Sequence, residues 1–154
     1  MLSLLHFLVG LILPACGAAG AAGLPVPTLM DTAAIVRPSS PNTALAAPAG
    51  FSPPPDIVTQ PYALPPERLF AAIERVALAQ ERVFPHARFP DQFQAHFVAR
   101  SHLMNYPDLI TVQVTPQGGL ILWSRSVYGR SDLGVNRQRL DAWLAALQAE
   151  LTKG

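Results

Sequence analysis

The chain has 154 residues, 50% of them apolar and 14% charged, with a formal net charge of +1. That length suits one domain of ordinary size, and the balance gives neither the low hydropathy of a disordered chain nor the basic excess of a nucleic-acid binder. One cysteine, Cys16, excludes an intramolecular disulfide and a thiolate metal cluster.

Residues 1–13, MLSLLHFLVGLIL, are almost wholly apolar and run into LPAC and the small-residue stretch GAAGAAG. This order predicts an export signal over residues 1–23, because the bulky apolar run is shorter than the roughly 20 residues a spanning helix needs. LPAC also resembles a bacterial lipobox, which makes Cys16 a lipidation candidate. Cleavage at a small residue such as Ala19 or Ala21, or retention as an uncleaved apolar anchor, are the competing readings. The membrane is therefore the expected partner, through a lipid or the apolar segment, and the expected location is the periplasm or a membrane-anchored lipoprotein.

Residues 24–56 contain half of the sixteen prolines and three charges, Asp31, Arg37 and Asp56. Proline fixes φ and removes a donor, so an extended linker is expected there, with residues 37–48 a candidate to pack on the domain. The domain itself is assigned to residues 57–154.

Within it, residues 57–62 are a candidate short strand. Pro65 and Pro66 open a helix whose apolar stripe includes Leu69, Ile73 and Val76, while Glu-Arg pairs at 67, 74 and 81 recur on a solvated face. Alternation in residues 92–100 predicts a strand with Phe93, Phe97 and Ala99 inward and His96 outward or at an edge. Residues 109–115 and 120–127 alternate likewise around Pro116-Gln117-Gly118-Gly119, which predicts a hairpin. A last helix over residues 133–151 carries Leu140, Leu144, Leu147 and Leu151. The expected fold is α+β: a small antiparallel sheet of three or four strands with two helices on one face, in the order (β)αβββα.

The chemistry is concentrated in residues 124–139, SRSVYGRSDLGVNRQR, where Arg125, Arg130, Arg137 and Arg139 face a single acid, Asp132. A strand ends there and a helix begins, and unpaired N–H groups of a first helical turn favour anions. Arg125, Arg130, Asp132, Asn136 and Arg139 are thus the candidate ligand-binding set, for a small anionic ligand or an envelope protein. A structural alternative has Arg125 paired with Asp132 across the turn and Asn136 bonded to the loop backbone. No nucleophile–base pair is evident, no catalytic residue is assigned, and His6, His86, His96 and His102 lack metal-ligand spacing, so neither metal nor cofactor is expected.

Three stretches resemble one family, the domain-of-unknown-function family DUF1499. Residues 123–147 are similar to its S-x-S-x-x-G-x-S-D-x-G-V-N block with an Arg-bearing helix. Residues 106–114, YPDLITVQV, resemble its aromatic-Pro-Asp strand entry, and residues 40–45, SPNTAL, resemble its S-P-N motif, with Thr43 where a cysteine is frequent. The resemblance implies an exported or membrane-associated protein and names no activity. The expected function is a non-enzymatic binding or interaction module of the cell envelope; the alternative is a hydrolase or transferase of envelope material that uses Asp132 or a histidine as acid or base.

Overall fold

A computed structural model describes residues 2–153. Alternating apolar side chains build β5 (Pro107–Val114) and β6 (Leu120–Ser126), which pair antiparallel with Val114 opposite Leu120. The turn between them needs a glycine at 118. Its φ is +79°, and a Cβ there would meet the carbonyl oxygen of Tyr62 at 2.9 Å.

The meander continues outward through β4 (Gln94–Arg100) and β3 (Val83–Phe89), both antiparallel. Two further strands, β1 (Thr43–Pro48) and β2 (Ile57–Thr59), complete a sheet of order β2-β1-β6-β5-β4-β3. β1 runs antiparallel to β6, and β1 and β2 are parallel. The sheet is therefore six-stranded and mixed, and with α1 (Leu4–Gly10), α2 (Pro66–Ala79) and α3 (Val135–Thr152) there are three α-helices among the described residues. This corrects the expectation of three or four antiparallel strands and two helices.

The reasons are local. β3 follows an abrupt helix end, where Gln80 is extended and Arg82 has φ +57°, so VFPHARF leaves the α2 periodicity and pairs with β4. β1 is alanine-rich and lies in the proline-rich stretch, but β6 would otherwise present an open row of backbone donors and acceptors. Its small side chains are what fit: Ala44 and Ala46 belong to the core under the helices, whereas Leu45 and Ala47 pack on the other face.

α2 and α3 lie on one face, over Ala95, Phe97, Ile110, Val112 and Leu122. Trp143 is fully buried there, with its ring edge-to-face to Phe97 at 6.0 Å. The Glu-Arg repeat is only partly a solvated face, since Glu74 accepts two bonds from Arg88 and Arg75 donates to Glu150. The second sheet face is covered as well. Met30, Ile35 and Phe51 pack on Leu45, Ile121 and Trp123 of β1 and β6, and β4, whose Gln94 and Arg100 bond to Met30 and Gly20, is buried along its whole length.

Replacing Trp143 by Ala should remove about 3–5 kcal/mol of stability. Thermal denaturation should show a fall of about 10 °C with the far-ultraviolet circular dichroism of the folded state retained at low temperature.

Candidate functional site

The turn between β6 and α3 is shaped by Leu133 and Gly134, both left-handed with φ +55° and +82°. Val135 N–H donates to the Asp132 carbonyl at 3.1 Å, closing the turn. The Asp132 carboxylate then receives Gly134 N–H and Asn136 N–H, each at 2.9 Å, and the Asn136 side-chain amide at 2.7 Å. Burial raises this carboxyl, but the bonds from Asn136 and Gly134 outweigh it and hold the group below the ordinary carboxylate range. The anion that the first turn of α3 favours is thus Asp132 itself.

Asn136 is fully buried. Its Nδ2 also donates to the Asn42 carbonyl and to Ser126 Oγ, while its Oδ1 accepts from Ser124 Oγ at 2.5 Å and Arg139 at 2.8 Å. Arg139 reaches further, to Asp108 Oδ2 at 2.8 Å, and both of these side chains are largely buried. Burial pushes the Asp108 carboxyl above its ordinary value, with the Arg139 charge offsetting only part of that. Asn42 is fixed in turn by its bond to the Gly129 carbonyl.

A cavity of about 460 Å³ opens over this network, lined by Asp108, Ser126, Asp132 and Arg139 on its polar side. Tyr106, Tyr128, Leu133, Val135 and Leu13 supply its aromatic and aliphatic wall, the two tyrosine rings tilted with centroids 6.4 Å apart. Such a volume matches a small organic ligand. A cavity of about 530 Å³ between α2 and β3 is lined by Glu74 and Arg88, which are bonded to each other, and by His86, whose buried Nε2 has no hydrogen-bond partner among the described residues.

Of the five candidate residues, Asp132, Asn136 and Arg139 come together, and two do not join them. Arg130 is exposed and makes no hydrogen bond among the described residues. Arg125 does not pair with Asp132; it stands on the other sheet face, where it donates to Thr111 Oγ1 at 3.2 Å, and burial pulls its pKa down to about 10. The Thr111 hydroxyl bonds His96 Nδ1, and His96 Nε2 bonds Gln94 Oε1, a polar chain across β6, β5 and β4. His96 thus faces away from the helices, yet is buried under the N-terminal segment. Cys16 is fully enclosed, and burial raises its thiol pKa. Among the described residues no group of three His, Cys, Asp or Glu is arranged to hold a metal ion.

Sequence reasoning missed Asp108, Tyr106 and Tyr128. Period-two alternation carries a signal for the first, since Asp108 shares the parity of Ile110, Val112 and Val114 and so faces the helices.

The three motif stretches meet at this place: Asn42, Asp108, and residues 124–139. The sequence matches the model of the family described as "Protein of unknown function (DUF1499)" over residues 36–147, and the chain belongs to that family. No curated protein matches it.

Two outcomes follow from the geometry. Asn136→Ala should lower stability by about 2–4 kcal/mol, because Arg139, Ser124 and the Asn42 carbonyl lose a buried partner, and urea titration will measure it. Burial, then the Arg125 and His86 charges, hold His96 near pKa 4 against its ordinary 6.5. The unfolded chain therefore binds the extra proton first, so the contribution of neutral His96 is complete above about pH 6.5 and is lost as pH falls from there toward 4. The melting temperature should drop by about 5 °C or more over that window, and His96→Gln should flatten the drop.

Proposed function

We propose that the protein is a non-enzymatic binding module of the cell envelope, exported and held at a membrane by its N-terminal segment, with its ligand seated in the cavity between Tyr106, Tyr128 and the α3 turn. The observation that carries the reading is the lining itself. Asp108 and Asp132 stand against Arg139 alone, so the polar wall is net negative, and it shares the cavity with an aromatic and aliphatic wall. A ligand that offers amine or hydroxyl donors on an apolar body suits this wall. A phosphate does not, since Asp132 already occupies the anion position and Arg125 and Arg130 point elsewhere.

A hydrolase or transferase would need a base free to take a proton. Asp132 is engaged by three N–H groups, and no histidine lines the cavity among the described residues. Support for the membrane comes from the N-terminal stretch, where Leu4, Phe7, Leu8, Leu11 and Ile12 are each half or more exposed. An apolar surface of that kind is normally covered by a partner or a lipid phase. No helix among the described residues is long and apolar enough to cross a membrane. In the folded chain the Cys16 sulfur is enclosed, so acylation requires this segment to be undocked.

Thermal shift of the full chain against polyamines, neutral saccharides and inorganic phosphate tests the cavity. Donor-rich ligands should raise the melting temperature by about 5 °C at a hundredfold excess over Kd, and Tyr128→Ala should abolish the rise with the fold intact. Stabilisation by phosphate alone, or by none of the three, would reject the reading.

A further inference from the structure

The sheet face opposite α2 and α3 is covered by residues 15–36, and the contacts have an unusual division of labour. The hydrogen bonds come from side chains on the domain side and meet main chain on the segment side, while Met30 and Ile35 of the segment add apolar contacts to Leu45, Ile121 and Trp123. Arg100, only 4% exposed, donates to the carbonyls of Ala15 at 2.6 Å, Gly20 at 2.6 Å and Ala22 at 3.0 Å. Asn105 Nδ2, from a side chain with no exposed surface, donates to the carbonyls of Cys16 at 2.7 Å and Ala18 at 2.8 Å. At the other end of β4, Gln94 clamps one residue twice: its Oε1 accepts Met30 N–H at 2.7 Å and its Nε2 donates to the Met30 carbonyl at 2.8 Å.

A carboxylate partner for Arg100 is lacking among the described residues, so its charge is balanced by carbonyl dipoles alone. A buried guanidinium and a buried amide with five donor contacts to a separate segment need an occupant rich in acceptors, and a polypeptide backbone in a bent, non-regular conformation supplies them. None of these bonds reads a side chain. Shape does the reading instead: Gly20 and Gly23 have φ of +57° and +79°, a Cβ on Gly23 would press on that of Ala18 at 3.0 Å, and Gly20 sits against the Phe84 ring. The clamp residues 94, 100 and 105 fall inside the stretch matched by the family model, residues 36–147, whereas residues 15–30 fall outside it. Holder and held are thus separate parts of the chain.

We propose that this face is a groove for a glycine- and alanine-rich polypeptide segment, recognised through its main chain, and that the protein fills it in cis with residues 15–30. The groove is distinct from the cavity at the α3 turn and does not depend on that cavity's ligand.

The test starts from the full chain, with a protease site inserted between Val36, which is 86% exposed, and Arg37. After cleavage of the folded protein, the N-terminal piece should co-elute with the body on size exclusion. A fluorescent synthetic peptide of residues 14–32 should displace it, read by anisotropy. Gly20→Val with Gly23→Val in that peptide should weaken binding at least tenfold without touching the domain, whereas shuffling its other residues with the glycines and Met30 kept in place should change binding less than about threefold. Arg100→Ala in the body should weaken it at least tenfold. The proposal is overturned if the piece leaves on cleavage while the body stays folded. It is equally overturned if the body unfolds once the piece leaves, or if the valine peptide binds as well as the parent.

Discussion

One buried amide holds the architecture in register. Asn136 is the point at which β1, β6, the turn and α3 share a hydrogen-bond network, and its orientation is set by chemistry: Arg139 can only donate, so the oxygen must face it and the nitrogen must face the Asn42 carbonyl, Ser126 and Asp132. In an interior of low dielectric each of these groups would be costly to leave unpaired. The network therefore tolerates one relative placement of strand and helix. That placement puts Asp108 and Asp132 on a common wall and leaves room above them, so the cavity follows from the fastening and does not compete with it.

The same constraint explains what could be read from the residues. Periodicity located α2, α3, β4, β5 and β6, because in each of them one face is apolar at a regular spacing and burial of that face decides the local structure. β1 was hidden, since TALAAP has the composition of a linker, and what makes it a strand is the open edge of β6 and the need for small side chains beneath α3. Asn136 was legible as a bond to the loop backbone, and Asp132 as the acid of the same turn. Arg125 was misplaced by reading charge density along the chain without parity: Leu120, Leu122, Ser124 and Ser126 face the helices, so Arg125 between the two serines must face away.

Parity also changes the electrostatic picture. Along residues 124–139 the charges sum to a strong positive excess, but the fold distributes them over three environments: Arg125 against Thr111 on the sheet face away from the helices, Arg130 and Arg137 in solvent, Arg139 against Asp108. Only the last contributes to the cavity, and there the acids outnumber it. A linear count of charge therefore has the wrong sign for the site, which is a general hazard wherever a strand carries the charges, because successive residues are delivered to opposite faces.

The second face bears on how the N-terminal segment and the domain can coexist. The Cys16 sulfur has no exposed surface, and the carbonyl of the same residue is held by Asn105. A thioether-linked lipid needs space and an apolar phase at that sulfur, and the enclosure offers neither. If Cys16 is acylated, residues 15–18 cannot sit as they do here, and Arg100 and Asn105 lose carbonyl partners that water must then replace. Lipid attachment and docking of this stretch are thus coupled with opposite sign: each disfavours the other, by the free energy of those buried hydrogen bonds. A chain tethered through Cys16 would present an open groove at the membrane, and a chain with a free thiol would keep it closed.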